Sequence, residues 1–131
     1  MNVRKHLSAL IGLALVDHDF SDNEKHLILS IGKAHKISER EIEELILRPE
    51  KVDMDSLNDD QKFELLYDLV LLMKVDREVY YSEINYCQEI ATRLGFDKAV
   101  IAELSSKIYS DPAITSDKAH LRQKVLAFKK V

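Results

Sequence analysis

Two pairs of acidic residues have types and spacing that could do chemistry. Asp17 and Glu24 form an Asp-x6-Glu pair, and Asp76 and Glu83 form another. Around the first pair, Asp19 and Asp22 add carboxylates, and His18 and His26 add nitrogen donors. Divalent cations favour such oxygen clusters. A divalent cation is therefore the candidate cofactor, with Asp17, Asp19, Asp22, Glu24, Asp76 and Glu83 as candidate ligands. The turn is not an EF-hand: Asp22 stands where that loop needs Gly, and Ile28 where it needs Glu. The second copy places Arg77, a fixed cation, beside its ligands. A structural reading competes with cation binding. Glu24 lies three residues after Ser21, the spacing of a capping box, and Asp17 and Asp76 suit turn formation. The neighbouring Tyr80 and Tyr81 are candidate partner contacts, since Tyr is favoured at interfaces; a lid over the core is the alternative.

These pairs belong to a larger repeat. Segment 7–45 aligns with segment 66–104 without a gap, at a constant offset of 59 residues. Leu7, Leu10, Leu13, Val16, Asp17, Glu24, Ile31, Ile42, Glu44 and Leu45 recur as Leu66, Leu69, Leu72, Val75, Asp76, Glu83, Ile90, Ile101, Glu103 and Leu104. Most of these are apolar positions that packing enforces, whereas the Asp and Glu pairs are not.

The elements that must position these residues read as helices. Leu7, Leu10, Ile11 and Ala14 recur at helical spacing over 3–17, with Leu13 and Val16 widening the stripe, so this helix should be central. Ser21 starts a second helix to about Lys36, with Leu27, Ile28, Ile31 and Ala34 inward. Ser38 and Glu41 form another capping box, opening a helix with Ile42, Leu45 and Ile46 that ends at Pro49. A polar connector follows, anchored by Val52, Met54 and Leu57. Asn58 starts a fourth helix through Phe63, Leu66, Leu69, Val70 and Met73 to about Asp76. The fifth covers about Ser82–Leu94, with Tyr86, Cys87, Ile90, Ala91 and Leu94 inward. Gly95 suits its end, and Asp97 suits the start of a sixth helix that buries Val100, Ile101, Leu104 and Ile108. Asp111-Pro112 breaks that helix. A seventh from about Ser116 carries Leu121, Val125 and Phe128 on one face. The expected fold is all-α: two three-helix units and a terminal helix in one domain over 1–131, with helices one and four meeting about a pseudo-twofold axis.

Composition narrows the function. Three Gly and two Pro in 131 residues leave little room for tight turns. A net charge of −4 offers no basic excess to displace phosphate counterions, which argues against nucleic acid as a partner. Acidic residues crowd 39–60 and basic residues crowd 117–131, which reads first as solvated helix faces and second as a partner surface. The single Cys87 excludes an internal disulfide and sits at core spacing. No phosphate-binding loop, nucleophile motif or His-Glu-x-x-His occurs, so an enzyme is not expected. His6, His26, His35 and His120 are scattered and read as surface residues. The apolar stretch Leu7–Val16 resembles a signal segment but runs directly into Asp17, His18 and Asp19. No run is long enough to span a membrane, and the cytoplasm is the expected compartment.

Asp17-His18-Asp19-Phe20-Ser21-Asp22-Asn23-Glu24, followed by Ile37-Ser38-x-x-Glu41, resembles the signature of the TerB-like family. That family includes tellurite-resistance proteins and the N-terminal domains of DjlA-type co-chaperones, and its motif is commonly duplicated. Asp76, Val79 and Glu83 resemble the second copy. The resemblance covers roughly 7–104. It implies a duplicated fold of about seven helices and a non-enzymatic bacterial module that binds another protein. In some members it also implies cation binding at the acidic positions onto which Asp17, Glu24, Asp76 and Glu83 fall. His18 and Arg77 replace the family's Gly, a residue that permits a left-handed turn. The J-domain tripeptide His-Pro-Asp is absent, so co-chaperone activity is not implied.

Overall fold

Among the described residues, four helices start where a side chain accepts from an orphan backbone N–H, and two end where the chain turns left-handed. The computed structural model describes residues 3–16, 21–51, 54–75, 79, 81–108 and 117–130. Among these the fold is all-α: α1 (Val3–Leu15), α2 (Asp22–Ala34), α3 (Glu39–Leu47), α4 (Asp59–Lys74), α5 (Tyr81–Arg93), α6 (Val100–Lys107) and α7 (Lys118–Leu126), with a 3-10 turn at Met54–Ser56.

The caps follow the sequence signals. Ser21 Oγ accepts from Glu24 N at 3.1 Å, and Glu24 Oε1 accepts from Ser21 N at 3.3 Å. Asn58 and Gln61 make the same reciprocal pair at 2.9 and 3.0 Å. Each such cap is worth about 1 kcal/mol. At Ser38 only half of the expected box forms. Its hydroxyl accepts from Glu41 N, while the Glu41 carboxylate accepts from Arg4 on α1 at 3.2 Å. Arg4 also donates to Glu50 at 2.9 Å, and Ser8 Oγ accepts from Glu50 N at 2.9 Å. These bonds clip the connector back onto α1.

The repeat is carried into three dimensions. α2 and α5 have the same bounds at the 59-residue offset, and their ends match as well. Gly95 ends α5 with φ 93°, and Phe96 N donates to Ala91 O at 3.0 Å. Lys36, its repeat partner, ends α2 with φ 63°, and Ile37 N donates to Gly32 O at 2.8 Å. Both are Schellman-type ends. Within each unit all three helices touch, α1 with α2 and α3, and α4 with α5 and α6. α1 packs most extensively on α4, so the two units share one core. Leu7, Leu10, Ile11, Leu13, Leu65, Leu66, Leu69 and Leu72 are fully buried along that seam. Each fully buried aliphatic side chain stabilises by about 1.5–3 kcal/mol.

Two details depart from the periodicity. Ala34 is exposed and Gly32 is buried instead, because α2 turns its Gly32 face onto Ile42 of α3. Phe128 is half-buried just past the end of α7. Met54 and Leu57 anchor the connector as expected, whereas Val52, Asp111 and Pro112 lie outside the described residues.

Candidate functional site

Glu24 and Glu83 are the charged residues buried among the described part of the chain, at 4% and 6% exposure. They are repeat partners, and each occupies the third position of its helix, α2 or α5. There a carboxylate faces the positive end of the helix dipole. Glu24 is further held by its bond with Ser21 N, and both residues have polar or electrostatic partners. The two glutamates of the repeat are thus placed at helix starts, and Glu24 completes a capping box there. Asp22, the other described candidate ligand, is exposed on the first turn of α2. Asp17, Asp19 and Asp76 lie outside the described residues, as does Tyr80. Among the described residues no group of three or more His, Cys, Asp or Glu side chains is placed to hold a metal ion.

Tyr81 is 85% exposed and opens α5. Its position continues the helix face carrying Ile84 and Gln88, at i, i+3 and i+7. Ile84 and Gln88 line a groove of about 440 Å³, together with Val79, Met73, Ile101 and Ser105. Val79 is itself exposed. Tyr81 is not itself a lining residue of that groove, and a ring so exposed is not lidding a core. The alternative expectation for Tyr81, a cover between helices four and five, is therefore corrected.

Two expectations about other side chains change. His6 is not a free surface residue: its Nε2 lies 2.8 Å from Asp68 Oδ2, and both side chains are mostly shielded between α1 and α4. They form part of the wall of a cleft of about 320 Å³ that His35, Asp60 and Glu64 also line. No local signal marks this pairing, because the partners stand 62 residues apart. The basic tail is not simply solvated either. Arg122 pairs with Asp60 and Lys129 with Asp59, so part of the acidic 39–60 run meets the basic run within one chain.

Cys87 is buried in α5, and burial, followed by the Glu83 charge one turn away, pushes its thiol up to about 12. A thiol so held is packing, not a nucleophile. Tyr86 Oη donates to Ala9 O on α1 at 2.9 Å. Burial first, then the neighbouring Cys87, pushes its phenol up to about 12. No helix among the described residues is long and apolar enough to cross a membrane. No protein-family model, curated protein or solved structure matches this chain.

Proposed function

We propose that this protein is a non-enzymatic helical adaptor of the TerB-like type, cytoplasmic and bacterial, that binds another protein. One observation carries the reading: Tyr81 presents an almost fully exposed ring on the helix face that runs into the apolar groove of Val79, Ile84 and Ile101. Aromatic side chains of this kind dominate interface energetics when a partner covers them. The duplicated signature residues Glu24 and Glu83, buried alike at the starts of α2 and α5, support the family assignment. A role in tellurite or related stress is part of the same proposal.

Pull-down from native lysate tests it. The wild-type chain should enrich a partner that Tyr81→Asp loses, while both proteins keep the same helical circular dichroism. Enrichment of nothing above background, or equal enrichment by both, would reject the reading.

Cation binding at the Asp17–Glu24 turn is the second reading. The recurrence of the Asp-x6-Glu spacing in both units favours it. Calorimetry with calcium and zinc decides between the two, because absence of heat at millimolar metal removes the cation reading alone.

A further inference from the structure

α7 stands outside the duplicated units, and everything charged on it points one way. From Lys118 to Val131 the chain has five basic residues and no acidic one. Each α7 ion pair crosses to an acid of the folded body. Lys118 Nζ lies 3.3 Å from Glu64, Lys124 Nζ 3.4 Å from Glu103 and Lys129 Nζ 3.1 Å from Asp59, and Arg122 pairs with Asp60. Lys118 also lies over the Tyr67 ring, 4.4 Å from its centroid. The acids come from the first half of α4 and from α6. Together they make a carboxylate cradle for a basic helix.

The apolar part of this contact is small. Within α7 only Leu121 and Val125 are buried, at 3% and 1%. Past the helix, Phe128 O accepts from Asp97 N and Lys130 N donates to Gly95 O, which ties down the end. The ion pairs are partly exposed, and such pairs are weak and screened by salt. Among the described residues Arg122 Nε is shielded with no hydrogen-bond acceptor, and a buried donor left so costs free energy. Segments held this loosely open before the core does.

We propose that the α4–α6 face beneath α7 is a docking site for a basic amphipathic helix of a partner protein, occupied here by the chain's own α7. The partner helix would carry Lys or Arg where α7 has Lys118, Arg122 and Lys124, and aliphatic residues where it has Leu121 and Val125. The proposal rests on the adaptor reading and gives the adaptor a second, self-masked face.

The test uses the full chain and a fluorescein-labelled peptide of residues 117–131 added in trans. Lys118→Glu with Arg122→Glu should lift α7 while leaving the acidic cradle intact. Apparent affinity falls with the fraction of protein whose site is open, so this variant should bind the peptide at least about tenfold more tightly than wild type. Adding Asp60→Lys and Glu64→Lys should abolish binding, and raising the salt to about 500 mM should weaken it. No binding to the lifted variant, or binding unaffected by the cradle changes, overturns the proposal. Should the lifted variant lose its helical signal, hydrogen exchange on the wild type decides. α7 amides exchanging at least about tenfold faster than those of α4 sustain the proposal, and joint exchange with α4 overturns it. Failure of the peptide with a lysate partner still lost by Tyr81→Asp removes this face and leaves the adaptor reading standing.

Discussion

Gly12 and Tyr86 show how one missing side chain sets a helix contact. A Cβ at Gly12 would lie 2.4 Å from Tyr86 Oη, which donates to Ala9 O. Gly12→Ala must therefore push the ring away and break that bond. Overpacking of this kind costs about 1–3 kcal/mol, against a helix-propensity gain of up to about 1. Chemical denaturation should show a net loss, and the loss should shrink in the Tyr86→Phe background, where the hydroxyl is gone. The repeat counterparts are Leu71 and Leu27. There the α2 face lies apart from α4, and a groove of about 600 Å³ runs between Leu27, Ile31, Leu71 and Val75. Two leucines hold helices apart where a glycine and a tyrosine let them close. Helical spacing placed Leu27 and Tyr86 inward, but the asymmetry needed three-dimensional neighbours. Tyr86 and Cys87 also predict a pH dependence. Their folded values of about 12 stand above the ordinary 10.0 and 9.0. Below pH 9 both groups stay protonated in either state, so their contribution is fully present. As pH rises from about 9 to about 12 the unfolded chain releases protons that the folded chain keeps, and stability is lost. Melting curves should fall over that window, and Cys87→Ala should delay the onset.

At the scale of the elements, the two Schellman ends give a direct comparison. Gly95 adopts φ 93° without a Cβ, whereas Lys36 holds φ 63° with one. A left-handed L-residue costs roughly 1–2 kcal/mol, and Gly recovers most of that less its own entropy. Lys36→Gly should raise stability by about 0.5–1 kcal/mol, read as a shift in denaturation midpoint at unchanged slope. Helix existence, order and most caps were legible in the chain because they are local: Ser21, Asn58 and Gly95 act within a few residues of themselves. Partners across the fold were not. Arg4 takes the Glu41 carboxylate that a capping box would have used, and Asp68 takes His6. Ala34 was expected inward where Gly32, two positions earlier, is buried, because apolar spacing does not register a glycine as a packing residue.

For the whole molecule, duplication supplies the architecture and leaves the function to what breaks the duplication. α1 and α4 form the shared seam, so neither unit has a core of its own. Unfolding in urea should be one cooperative transition, with circular dichroism and tyrosine fluorescence superimposing. Two separated transitions would mean that the units are independent. The acidic pairs that drew attention in the sequence resolve, where described, into buried helix-start carboxylates. The exposed features, Tyr81 with its groove and the basic α7 on its acidic cradle, have no counterpart in the first unit's signature. Tyr81 has one useful control in Leu47, which is 82% exposed on α3; no α3 residue lines a described groove, whereas Ile84 and Gln88 on the helix of Tyr81 do. A photo-crosslinking residue placed at position 81 and, separately, at position 47 tests the adaptor claim most directly. A discrete partner adduct from native lysate is expected at position 81 and none at position 47. Adducts at neither position, or equally at both, would contradict it.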